Sequence, residues 1–152
     1  MLWFQKLEPQ QRQLIETALI LLEREQAGTT DKLPDYSFIV FPMAKAYEGF
    51  IKDFLLKRKL VTNKVYGSKR FRVGKSVNPD VNPKYRGDDW VYDDLVQICG
   101  LDLARQIWET WLECRNRVFH FFPGKNIILN LKAAEKKVNM ILDTIQAASR
   151  YL

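Results

Sequence analysis

Residues 102–122, DLARQIWETWLECRNRVFHFF, decide how this chain is read. Ala104, Ile107, Trp108, Trp111, Val118, Phe119 and Phe122 recur at the spacing of one helix face. The stretch therefore reads as an amphipathic α-helix opened by Asp102 and closed before Pro123-Gly124. Arg115 falls inside that apolar stripe, four residues after Trp111. An unpaired guanidinium is expensive to bury, so Arg115 must meet an anion, reach solvent along its stem, or line a cleft. Asn116 and, one turn on, His120, the only histidine of 152 residues, share a face beside it. Arg117 stands four residues after Glu113, the spacing of an exposed ion pair.

The flanking sequence repeats the helical rhythm. A final helix is expected from about Leu131 to Tyr151, with Leu131, Ala134, Val138, Ile141, Leu142 and Ile145 on its apolar face. Asp88 and Asp89 are suited to open a short helix that runs through Cys99 and closes at Gly100. Earlier, Leu14, Ala18, Leu21 and Leu22 mark a helix after Pro9 that Gly28 stops before the polar Thr29-Thr30-Asp31. A second long helix spans about Asp35 to Leu60, with Tyr36, Val40, Met43, Tyr47, Phe50, Ile51, Phe54 and Leu55 as its stripe. Pro42 removes one backbone bond there, so a kink is preferred over a later start near residue 41.

Residues 61–87, VTNKVYGSKRFRVGKSVNPDVNPKYRG, interrupt the rhythm with Gly67, Gly74, Gly87, Pro79 and Pro83. At most a basic loop or short β-hairpin is expected there. The segment holds seven basic residues and one acid, Asp80, a surplus of six. The chain carries 24 Lys+Arg and 18 Asp+Glu, so 17 of each sign remain elsewhere and the insertion accounts for the net charge of +6. Together these features predict one all-α bundle over residues 1–152 with a basic insertion.

Composition narrows the function classes. At 47% hydrophobic and 12% aromatic residues the chain can bury a core, which excludes a disordered tail or a collagenous fibre. Cys99 and Cys114 are too few for a disulfide scaffold and lack metal-site spacing, so a reducing cytoplasm is expected. The opening MLWFQKLEPQQRQL carries no signal-peptide pattern and no run approaches a membrane span, so neither secretion nor insertion is expected. No Gly-rich phosphate loop or Gly-x-Ser-x-Gly elbow occurs, and neither a metal nor a cofactor is expected. Asp88, Asp89, Asp93 and Asp94 are assigned to helix starts.

The polar patch supports two readings. In one, His120 caps helix carbonyls, Arg115 forms a buried ion pair and Asn116 satisfies backbone groups. In the other, the patch handles phosphate: a histidine with an ordinary pKa near ~6.5 exchanges protons near neutrality, and a guanidinium holds two phosphate oxygens in fixed geometry. Cleaving RNA without a metal requires a base for the 2′-OH, an acid for the leaving 5′-oxygen and positive charge against the developing phosphorane.

Arg115-Asn116-Arg117-Val118-Phe119-His120 resembles the Arg-x4-His signature of HEPN domains in the form where Asn follows the Arg. The stretch Phe41-Pro42-Met43-Ala44-Lys45-Ala46-Tyr47-Glu48-Gly49-Phe50 on an earlier helix resembles the RnlA toxins of the RNase LS type, over roughly residues 35–150. The resemblance implies a metal-independent endoribonuclease, the toxin of a toxin–antitoxin or antiphage system, working as a homodimer and held in check by a cognate antitoxin. It also implies catalytic roles for Arg115, His120, Glu48, Asn116 and Lys45, with Glu48 orienting Arg115 or His120 and Lys45 holding phosphate. Phe122 stands where relatives silenced by adenylylation carry Tyr, so that control is not expected. A non-catalytic RNA-binding or protein-interaction module is the alternative. In the insertion, Lys64, Lys69, Arg70, Arg72 and Lys75 are expected to neutralise RNA phosphates, and Phe71, with Tyr66 and Tyr85, to stack on bases. A solvated arm, or a contact for an acidic antitoxin, is the competing reading of this segment.

Overall fold

The first long helix begins as its sequence dictates. Pro9 occupies the first helical position, where its missing N–H costs nothing, and the Glu8 N–H donates to the Gln11 side chain at 3.3 Å. The computed structural model describes residues 2–28 and 32–152, so the polar stretch at 29–31 lies outside the described residues. A short helix α1 (Leu2–Gln5) precedes α2 (Pro9–Ala27), which Gly28 ends.

Helix α3 (Ser37–Lys57) lies against α2 on one side and α9 (Leu131–Ala148) on another. It starts at Ser37 and runs through a buried Pro42, so the later start near residue 41 does not occur, and it stops three residues short of Leu60. Every residue of its expected stripe, from Tyr36 to Leu55, is buried. Burial extends to Ile39, Ala44 and Ala46, which leaves an unburied stripe at Phe41, Lys45, Glu48 and Lys52, polar but for Phe41. A helix covered on most sides has only such a stripe to offer chemistry.

The insertion is a loop broken by short helical turns. Among the described residues no strand occurs, so the expected loop is seen without a hairpin, and residues 61–87 carry α4 (Asn63–Tyr66), α5 (Val73–Ser76) and a 3-10 turn at Pro83–Tyr85. Local capping explains part of this, because the Thr62 hydroxyl accepts from the Val65 N–H at 3.2 Å. The rest is burial. Phe71, Val73 and Val77 enter the main core, an anchoring that a hairpin projecting into solvent would forgo. The Ser76 hydroxyl donates to the Asp89 carbonyl, the Val91 N–H donates to the Ser76 carbonyl at 2.9 Å, and Trp90 Nε1 donates to the Asn78 carbonyl at 2.8 Å.

Helix α6 (Tyr92–Cys99) is preceded by Val91, so Asp88 and Asp89 lie ahead of the helix and do not open it; Asp93 and Asp94 supply the acids of the first turn. Gly100 links α6 to α7 (Leu101–Trp111) with φ +83°, a left-handed backbone that favours glycine, and α7 consequently starts one residue before Asp102. After Trp111 the chain widens into a π-turn over Leu112–Asn116, in which the Arg117 N–H reaches back five residues to the Leu112 carbonyl. A last short turn, α8 (Arg117–Phe119), ends three residues before the expected Phe122. Helix α9 is capped by Asn130, whose side chain accepts from the Ala133 N–H at 2.8 Å, and closes in a 3-10 turn, Ser149–Tyr151.

Two buried contacts tie the bundle. Tyr47 in α3 donates to the Ile107 carbonyl of α7 at 2.9 Å, and the Thr110 and Thr144 hydroxyls join α7 to α9 at 2.8 Å. Buried hydroxyls need such partners. No helix among the described residues is long and apolar enough to cross a membrane.

Candidate functional site

The π-turn occupies the residues that break the apolar pattern. Five residues apart on a regular α-helix, Arg115 and His120 would point about 140° from one another. The widened turn, and the exit of the chain into extended backbone at His120 (φ −92°, ψ 135°), set both side chains along the same clefts. Single π-turns within α-helices often mark functional positions. Phe119 and Phe122, expected on the inward stripe, are exposed, Phe122 lying beyond the end of α8, while Val118 remains buried. Arg115 itself leaves the interior, and its side chain is 36% exposed.

One carboxylate organises the cations. Glu48 of α3 lies 3.6 Å from the Arg115 guanidinium and 3.1 Å from the Lys52 ammonium. The Arg115 guanidinium also sits 5.0 Å from the centre of the Trp111 ring. Glu48 thus faces Arg115 from a different helix, and no hydrogen bond links it to His120. The buried ion pair considered for Arg115 is an open, half-exposed one, where water screens the attraction. Lys45 is exposed and, among the described residues, has no carboxylate within ion-pairing distance; Glu48, three residues on, pairs with Lys52 and Arg115.

Two clefts meet at Glu48, Arg115 and His120. The smaller, about 330 Å³, runs between α3 and α8 and is bordered by Phe41, Lys45 and Phe119, whose two phenyl rings meet edge to face at 5.7 Å. The larger, about 470 Å³, opens toward the insertion, where Arg72, Lys75 and Asn78 face Trp108 and Asn116. All five expected catalytic residues therefore border this depression, although residue 48 and residue 120 are 72 positions apart. His120 uses its backbone N–H to bond the Asn116 carbonyl at 3.2 Å, and its ring stands 6.2 Å from that of Phe122.

The insertion divides. Arg72 and Lys75 border the larger cleft, whereas Lys64, Lys69 and Arg70 are exposed outside its lining. Phe71 also lines the larger cleft, but it is 8% exposed and packed into the core, so little of its ring is open to stack on a base. Tyr66 is exposed, but its hydroxyl donates to Asp53 at 2.6 Å; that bond to the carboxylate pushes its pKa up to about 12. Tyr85 remains exposed, with Lys84 4.7 Å from its ring centre.

Glu113 is structural. It pairs with Arg117, as the spacing predicts, and with Lys137 of α9 at 3.1 Å, which fastens the π-turn to the neighbouring helix. The thiols of Cys99 and Cys114 are free and buried; burial pushes them up to about 11 and about 12. Among the described residues no three His, Cys, Asp or Glu side chains gather in a way that could hold a metal ion.

Sequence reasoning missed Trp108 and Asn78 among the residues that line the larger cleft. Trp108 reads as core from its position in the stripe but is only partly buried, and Asn78 reads as a turn residue before Pro79. No local signal distinguishes either from its structural role. Compared with protein-family models, with curated proteins and with solved structures, the chain finds no match in any of the three.

Proposed function

We propose that the protein is a metal-independent endoribonuclease of the HEPN type, cutting single-stranded RNA by attack of a 2′-hydroxyl on the adjacent phosphate. The observation that carries the reading is the meeting of Glu48 and Lys45 from α3 with Arg115 and His120 around one cleft. In this mechanism Arg115 and Lys45 hold the phosphate and oppose the charge of the phosphorane. His120 transfers a proton, either from the 2′-hydroxyl or to the leaving 5′-oxygen. Glu48 positions Arg115, and Asn116 donates hydrogen bonds to the substrate.

One chain supplies one histidine, so a second copy would provide the complementary proton-transfer group across a shared two-fold cleft. The exposed rim beside the site supports such a homodimer: Phe41 is 57% exposed and Phe121 76%, and surfaces of that kind mark contacts. A cytoplasmic toxin or antiphage effector, silenced by a cognate antitoxin, is the biological role that accords with the resemblance. A second reading, a non-catalytic RNA-binding or protein-interaction module, draws on the Glu48 carboxylate being already shared between Arg115 and Lys52.

The test is cleavage of end-labelled single-stranded RNA in excess EDTA by wild type, His120→Ala and Arg115→Ala at matched dimer content. The ribonuclease reading expects 2′,3′-cyclic phosphate ends from wild type and a rate lower by roughly 10²–10⁴ in His120→Ala. Intact RNA with wild type, or equal cutting by both folded variants, would favour the module.

A further inference from the structure

The larger cleft has a wall that the cleavage chemistry does not use. Its volume, about 470 Å³, lies within the range that holds a small ligand. Trp108 presents a partly exposed indole there. Asn78 is already fixed on two sides: its Oδ1 accepts from the Asp80 N–H at 2.8 Å and its carbonyl accepts from Trp90 Nε1 at 2.8 Å. That leaves the two N–H donors of its side-chain amide without a partner among the described residues. Arg72 and Lys75 complete the wall, and among the described residues neither has a carboxylate within ion-pairing distance.

The wall is also firmly seated. Gly74, between the two cations, packs so close to the indole of Trp111 that a Cβ there would overlap the ring. The backbone of α5 therefore rests directly on the end of α7, four residues before Arg115, and the cleft is formed in advance of any ligand.

We infer that this cleft is a nucleobase subsite beside the phosphate position at Arg115 and His120. The base stacks on Trp108, the Asn78 amide donates to acceptors on its edge, and Arg72 and Lys75 hold the neighbouring phosphate. An aromatic face, an amide donor and two free cations match the face of a base, the acceptors on its edge and the phosphate beside it, and stacking accepts any base while a fixed donor grades them. The position of the scissile phosphate rests on the ribonuclease reading; the binding does not need cleavage to be seen.

The experiment is titration of the full chain with 5′-AMP, 5′-CMP, 5′-GMP and 5′-UMP, and with ribose 5-phosphate as the ligand lacking a base. None has a scissile internucleotide bond, so wild type is used. At least one nucleotide should bind roughly 5- to 150-fold more tightly than ribose 5-phosphate, the range that stacking one base supplies. Trp108→Ala should bring that ratio close to one, and Trp108→Phe should keep part of it. Arg72→Ala with Lys75→Ala should weaken nucleotides and ribose 5-phosphate alike. Should Trp108→Ala fail to fold, Asn78→Asp keeps the acceptor for the Asp80 N–H, removes the two donors, and should lower the ratio.

Equal affinity for nucleotides and ribose 5-phosphate overturns the inference, as does a ratio unchanged in folded Trp108 variants or in Asn78→Asp. A protein that prefers nucleotides yet leaves RNA intact would sink the ribonuclease reading and keep the subsite. One that cuts RNA with no such preference would do the reverse.

Discussion

Helix α9 and the segment from Leu101 to Phe119 are read by the same rule and obey it differently. In α9 most of the expected stripe is buried: Ala134, Val138, Ile141 and Ile145 are closed off from solvent and Leu131 and Leu142 are partly so. In the other segment it holds for Ala104, Ile107 and Trp111, then the π-turn intervenes and exposes Phe119 while Arg115 and His120 border clefts. Both helices pack against each other and share the Thr110–Thr144 contact. The difference is what the sequence spends its side chains on. Where the inward residues are apolar or, like Thr144, have a buried partner, the helix stays regular; where a guanidinium and an imidazole fall near the stripe, the backbone widens and both reach the surface.

The largest expected effect contrasts the two segments directly. Ile141→Ala, in the regular helix, should destabilise the fold by about 2–5 kcal/mol in denaturant unfolding, because a fully buried side chain leaves a cavity. Arg115→Ala should cost at most about 1 kcal/mol by the same measurement, since its pair with Glu48 is screened. Comparable losses in the two variants would erase the distinction and mark Arg115 as a structural residue.

Gly74→Ala should come next, at about 1–3 kcal/mol, by forcing a methyl into the Trp111 indole. Its mark should be local: faster amide exchange in α5, with α9 as protected as before. Uniform loss of protection would show that the insertion is not a separable wall.

Glu113→Gln should cost about 1 kcal/mol or less by breaking surface pairs to Arg117 and Lys137. Because those pairs tie the π-turn to α9, the change should also raise exchange at residues 112–117, and unchanged exchange there would refute the fastening role.

The smallest effect concerns the thiols. Cys114 keeps its proton to about 12 in the folded chain, against an ordinary value of 9.0, and Cys99 to about 11. Both should resist alkylation at pH 8 until the protein is denatured. The unfolded chain loses these protons first, so stability from this source is whole below pH 9 and declines as pH rises toward 12. Labelling of Cys114 in the native protein at pH 8 would show that the π-turn opens readily.

The all-α class, the long helices, the core face of α3 and most of that of α9 are legible in the amino-acid order alone, because long runs of periodic apolar residues leave few ways to remove them from water. That order also singled out Arg115 as out of place and paired Glu113 with Arg117, since both are short-range statements about one helix. Tertiary structure decided what local rules cannot reach. The fold of residues 61–87 turned on whether Phe71 and Val73 find a core to enter, a fact held by distant residues. The phase of His120 turned on one extra residue in a helical turn, a small local cost repaid by contacts with α3 and α9. And the placement of Glu48, Lys45, Arg72 and Lys75 about Arg115 required three elements to pack, because charged side chains carry no periodic signal of what they will face.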